Sequence, residues 1–199
     1  RDWSYTGNID FLSMQSAYHS TTFGAQALTG ISTFQHNVPQ LTGIKFVAEL
    51  NTYRSVYGPE VEPYLDEIER VIRLETSGAL AGMIIEPVQG YGGIIAMPQG
   101  YLSGAFEQIR AAGGVCVVDE VQSGFGRTGD HFWAFEGHGV IPDIVVMAKG
   151  IGNGFPLGAV VAKKSSANPW PESSASTHLE TAQYPVPPVE HWFLKIFNF

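Results

Sequence analysis

A chain of 199 residues with 44% hydrophobic and 15% charged residues has the apolar content to bury one sizeable core, which excludes a disordered polypeptide. Its net charge of −8 argues against nucleic acid or an anionic membrane surface as a partner, and no apolar run approaches membrane-spanning length. The single cysteine, Cys116, reads as a small buried hydrophobe inside an apolar run; no intrachain disulfide is possible and no Cys/His spacing suits a metal.

In chain order, residues 9–14 read as a short strand, and residues 22–28 as a helix start with Ser20, Thr21 or Thr22 as candidate N-cap. Residues 30–58 read as irregular, broken by Pro39, Gly43 and Gly58. An amphipathic helix comes next, because Val61, Tyr64, Leu65, Ile68 and Ile72 form one apolar face and Pro63 suits its first turn. Residues 81–85 are a strand ending in Glu86-Pro87. Tyr101, Leu102, Ala105, Phe106 and Ile109 trace a second helix, closed by Gly113-Gly114. Residues 115–118, 144–147 and 157–162 are three further strands. Strands that are continuous apolar runs alternating with helices predict an α/β fold, a mostly parallel sheet with helices on both faces. After Lys163 the composition changes: residues 164–199 hold five of the twelve prolines, a serine-rich stretch and an aromatic end, and read as an unrelated tail.

In such sheets ligands lie beyond the carboxyl ends of the strands, and Glu86, Asp119 and Lys149 all come after such ends. Each has an ordinary explanation alone: Asp119 as a cap or loop acid, Glu120 as an exposed acid, Lys149 as a surface lysine, Glu86 as a strand-end acid. Together they suit pyridoxal phosphate. A lysine amine condenses with an aldehyde, and the cofactor withdraws electrons when its pyridine nitrogen is protonated, a state that a buried aspartate stabilises. Residues two apart on an extended segment share a face, so Val121 packs on the ring face that Asp119 defines while Gln122 points elsewhere. Gly124-Phe125-Gly126-Arg127-Thr128-Gly129 matches a dinucleotide-binding pattern, but it neither succeeds a strand directly nor opens a helix, so a tight turn is expected. Gly150 to Pro156 reads as a turn as well.

Residues 115–161 resemble the class III aminotransferases, the ornithine-aminotransferase-like enzymes of fold type I. The resemblance rests on Val118-Asp119-Glu120-Val121-Gln122-Ser123-Gly124-Phe125-Gly126-Arg127-Thr128-Gly129, on Pro142-Asp143-Ile144, and on Ala148-Lys149-Gly150 through Phe155-Pro156, and it extends over residues 1–163 as part of a large cofactor-binding domain. It implies that Asp119 pairs with the pyridine nitrogen and that Lys149 holds the aldehyde carbon and shuttles protons. Val121 would lie against the ring, Gln122 beside its oxygen, and Tyr18 would stack on the cofactor with His19 next to it. Glu86 would lie near the substrate pocket. The family usually has glycine where Ser20 stands. The implied reaction moves an amino group between an amino acid such as alanine and an oxo acid such as glyoxylate or pyruvate, in a homodimer or homotetramer of the mitochondrion or cytoplasm. A phospholyase, an ω-amine aminotransferase and a non-catalytic truncated product stay open as alternatives. The family's phosphate-binding loop, its small domain and the partner-subunit threonine have no counterpart in these residues. The chain begins Arg1-Asp2-Trp3, unlike a signal or transit peptide, so a processed or truncated fragment with little or no activity is expected.

Overall fold

The protein is described by a computed structural model covering residues 8–36 and 39–163, together with the backbone of residues 192–198. Its strands are β1 (Phe11–Met14), β2 (Ile44–Val47), β3 (Gly82–Ile85), β4 (Val88–Gln89), β5 (Ile95–Ala96), β6 (Val115–Asp119), β7 (Ile144–Met147), β8 (Leu157–Lys163) and β9 (Trp192–Asn198). Its helices are α1 (Phe23–Leu28), α2 (Glu62–Glu75) and α3 (Tyr101–Ala111). The main sheet runs β2-β1-β3-β6-β7-β8-β9. The first four pairings are parallel, and β8 and β9 add two antiparallel pairings at one edge. The expected mostly parallel α/β sheet is therefore present. β4 and β5 form a separate hairpin just after β3.

One face of the sheet carries Leu12, Met14, Met83, Ile85, Cys116 and Val118, all buried under α2 and α3. Contacts such as the Tyr101 hydroxyl on Met14 Sδ fix that packing. The α2 face holds Tyr64, Ile68 and Val71 buried, with Val61, Leu65 and Ile72 half-buried beside them. Pro63 lies in its first turn as expected, Glu62 and Arg73 complement the helix dipole at opposite ends, and α3 gives way to Gly113 at a φ of +81°. On the other face Ser13 Oγ donates to the Leu28 carbonyl, 2.6 Å away, which seats α1 there. Helices thus cover both faces.

Strand register sets where the polar residues emerge. Ile85 pairs with Val118 and Asp119 with Val146, so Glu86, Asp119 and Lys149 leave the sheet at one rim. The stretch 30–58, read from sequence as irregular, contains β2 and a turn of 3-10 helix at Ser32–Phe34. Residues 164–191, the bulk of the segment read as an unrelated tail, lie outside the described residues; the backbone of its end forms β9 against β8.

Candidate active site

Asp119 is the last residue of β6 and is 7% exposed. Its Oδ2 lies 2.9 Å from His19 Nδ1, and its Oδ1 accepts the Val121 N–H at 3.0 Å. A carboxylate only accepts, so Nδ1 of His19 is the donor. His19 is itself buried. Its backbone N–H donates to Thr29 Oγ1 at 3.0 Å, so the residue that ends α1 fixes it in place. Its Nε2 is buried with no partner among the described residues. The structure thus places His19 against Asp119.

Glu86 is buried, and both its oxygens are engaged by backbone. Oε1 accepts the Tyr18 N–H at 2.9 Å and Oε2 the Gly90 N–H at 3.0 Å. Burial pushes its pKa up, while those two N–H groups oppose the shift. Here it ties the Tyr18 loop to the turn after β4. The Tyr18 ring packs 4.8 Å from Phe34 and 4.5 Å from Tyr91, centroid to centroid, forming an aromatic wall whose outer member, Tyr91, is 56% exposed. Gln122 lies beside Gly90, and the two border a cleft of about 430 Å3 with Val88, Tyr91, Arg127 and Thr128. Val121 is half-buried next to it.

One reading from sequence changes. Glu120 is not an exposed acid; it is 0% exposed and accepts Ser123 Oγ at 2.7 Å and the Phe135 N–H at 2.9 Å. Lys149 comes after the end of β7, as expected. It opens a 3-10 turn, Lys149–Gly152, two residues after β7, with its side chain exposed. Its φ of +47° is a conformation that non-glycine residues rarely adopt and that costs about 1–3 kcal/mol. The turn expected at 124–129 is present. Of the residues that build this rim, Thr29, Phe34, Tyr91 and Ser123 escaped the sequence reading. Only Ser123 had a local signal, its spacing of three from Glu120.

Ser20, where the family usually has glycine, sits at a φ of +96° on the surface. The backbone keeps the glycine-like turn despite the side chain. Ser20→Gly is therefore expected to stabilise the fold by about 1 kcal/mol, read as a higher urea midpoint. An unchanged or lower midpoint would show that the turn carries no strain.

Pyridoxal phosphate, the cofactor expected from the sequence, can be tested against these residues. An ionised carboxylate offers about four lone-pair positions, and Asp119 uses two, so it retains acceptor capacity for a protonated ring nitrogen. Lys149 Nζ has no partner among the described residues, leaving its amine available for an aldehyde carbon. The residues present fit the group's two reactive ends, with an open acceptor on Asp119 and a free amine on Lys149.

The family model described as aminotransferase class-III matches residues 2–181. "Alanine--glyoxylate aminotransferase 2 homolog 2, mitochondrial" of Arabidopsis thaliana is 46% identical over 157 residues, covering 79% of this chain and 32% of that protein. The human "alanine--glyoxylate aminotransferase 2, mitochondrial" is 37% identical over 180 residues, covering 79% of this chain and 35% of that protein. Among solved structures, an (S)-enantioselective omega-transaminase from Thermomicrobium roseum superposes with a TM-score of 0.78 at 33% identity, over 91% of this chain and 42% of that one. An amine transaminase from an uncultivated Pseudomonas species, in a PLP-bound form, superposes with a TM-score of 0.76 at 31% identity, over 84% of this chain and 40% of that one. The chain spans about a third of the length of the curated relatives it matches. With that match across most of its length, the chain belongs to the class III aminotransferase family.

Proposed function

We propose that the chain is part of a pyridoxal-phosphate-dependent aminotransferase that moves an amino group from an amino acid such as alanine to an oxo acid such as glyoxylate or pyruvate. One observation carries the reading: a buried Asp119, gripped by His19, and an exposed Lys149 stand at the carboxyl ends of neighbouring parallel strands. When bound, the cofactor supplies an electron sink for the carbon that bears the amine. Asp119 keeps the proton on the ring nitrogen. Lys149 would hold the cofactor and carry a proton to and from the substrate carbon. Val121 and Tyr18 hold the ring, Gln122 meets its oxygen, and Glu86 stands on the substrate side. The names of the Arabidopsis and human relatives support alanine and glyoxylate, and they support a mitochondrial over a cytoplasmic location. The solved omega-transaminase supports a second reading, an amine donor that is not an α-amino acid. The working assembly is a homodimer or homotetramer. Because these 199 residues span about a third of the relatives' length, they give little or no turnover by themselves.

The test is borohydride trapping of the chain with pyridoxal phosphate, then peptide mass spectrometry. The expected adduct is on Lys149 and disappears in Lys149→Ala. No adduct at Lys149, or one spread evenly over Lys45 and Lys163, sides with a non-catalytic product.

A further inference from the structure

The proposed chemistry uses Asp119, Val121 and Gln122 but not the residue between them. Glu120 is 0% exposed, the most deeply buried acid at the rim. Four bonds run through it. Its N–H donates to the Val146 carbonyl at 2.8 Å, which ties the end of β6 to β7. Its own carbonyl accepts the Gly124 N–H at 2.9 Å, closing the turn. Its Oε2 accepts the Ser123 hydroxyl, and its Oε1 reaches across to the Phe135 N–H. The Phe135 segment is anchored in turn: the Glu136 carboxylate accepts the Trp133 N–H at 2.9 Å, and the Trp133 ring packs on Phe125 at 5.0 Å. A carboxylate this buried is costly unless its oxygens are matched by donors, and these donors come from two separate stretches of chain.

We infer that Glu120 is a positioning residue, whose buried carboxylate fixes the turn at 119–124 against the Trp133–Phe135 segment and so sets where Asp119, Val121 and Gln122 face. Its neighbours on both sides are the residues that meet the cofactor, and a rotation of this turn would redirect all three together. Loss of alignment by an ångström at such a site costs on the order of 100-fold. The inference rests on the aminotransferase reading only for its effect on cofactor binding; its effect on the turn stands apart from that reading.

The experiment has two arms on the full chain. In the first, amide hydrogen exchange is compared between wild type and Glu120→Leu, which removes both acceptors at similar volume. Exchange at Val121, Gly124 and Phe135 is expected to rise at least about 10-fold, while Val117 and Val118 in β6 stay protected. In the second, pyridoxal phosphate binding is monitored by its absorbance across pH. Glu120→Leu is expected to bind at least about 10-fold more weakly with a displaced pH midpoint. Glu120→Gln, which keeps an acceptor for Phe135, restores the affinity to within about threefold. If Glu120→Leu does not fold, Ser123→Ala removes one of the bonds and is expected to loosen Gly124 alone. Unchanged exchange at the three amides overturns the inference, as does wild-type affinity and pH midpoint in Glu120→Leu. A wild-type chain that fails to bind the cofactor overturns the aminotransferase reading instead, and the exchange arm still decides Glu120.

Discussion

Asp119→Ala is expected to lower stability by about 3 kcal/mol and to weaken pyridoxal phosphate binding at least about 100-fold. The stability loss comes from what is left behind. The buried His19 Nδ1–H and the half-buried Val121 N–H both lose their acceptor. An unpaired buried donor costs about 1–3 kcal/mol, and breaking a buried pair costs about 3–5 kcal/mol. The binding loss would come from the proposed pairing of Asp119 with the ring nitrogen, which would lose its buried counter-charge. Asp119→Asn separates the two effects. The amide still accepts the Val121 N–H, and its NH2 group meets His19 in the opposite tautomer, so the fold loses only about 1 kcal/mol. A neutral amide does not hold a proton on the ring nitrogen, so Asp119→Asn binds the cofactor nearly as poorly as Asp119→Ala. Urea unfolding reads the first quantity and absorbance titration the second. Wild-type affinity in Asp119→Asn would remove Asp119 from the cofactor-binding role.

The sheet was legible where burial is two-sided, because a parallel strand covered on both faces must be apolar along its whole length. Gly82–Ile85, Val115–Asp119 and Ile144–Met147 were therefore found within a residue or so of their ends. β2 was not. Lys45 interrupts its run, Gly43 and Pro39 read as breakers, and three of its four residues are only half-buried, as suits an edge strand. Within the site, Asp119 and Lys149 were legible because a polar residue at the end of an apolar run stands out. The His19–Asp119 contact was not, since the two are 100 residues apart and no local pattern joins them. Glu120 was misread for a related reason. One of its bonds runs to Phe135, which only the folded turn brings near, so the sequence showed an acid without showing that donor. The left-handed backbone of Lys149 was hidden in the same way, because Gly150 and Gly152 permit such a turn but do not announce it.

At the opposite rim of the same strands, Asp143→Ala is expected to cost about 2 kcal/mol and to leave Lys149 trapping intact. Asp143 joins four elements. Lys163 at the end of β8 donates to it at 2.7 Å, Arg110 of α3 at 3.1 and 3.3 Å, and the Cys116 N–H of β6 at 3.0 Å, while its own N–H donates to the Cys116 carbonyl just before β7 begins. The Cys116 N–H is the costly loss, because it has no other acceptor; Lys163 and Arg110 are part-exposed and return largely to water. Burial pushes the Asp143 pKa up, but the Lys163 and Cys116 hydrogen bonds and the Lys163 and Arg110 charges outweigh it and hold the carboxyl below the ordinary aspartate value. A carboxyl depressed in the folded state contributes stability above its unfolded pKa, about 3.9, and loses it as pH falls through the folded value. The wild type should therefore lose this contribution below about pH 4, and Asp143→Ala, which has already lost it, should show a shallower fall in urea midpoint over that range. A parallel fall in both proteins would show that Asp143 is not the group that titrates. Because Asp119 and Asp143 sit at opposite ends of the β6–β7 pair with no shared partner, their stability losses should add in the double variant to within about 0.5 kcal/mol. A larger coupling would mean that the frame and the site are one mechanical unit, and then loss of cofactor binding in Asp143→Ala would be the corresponding sign.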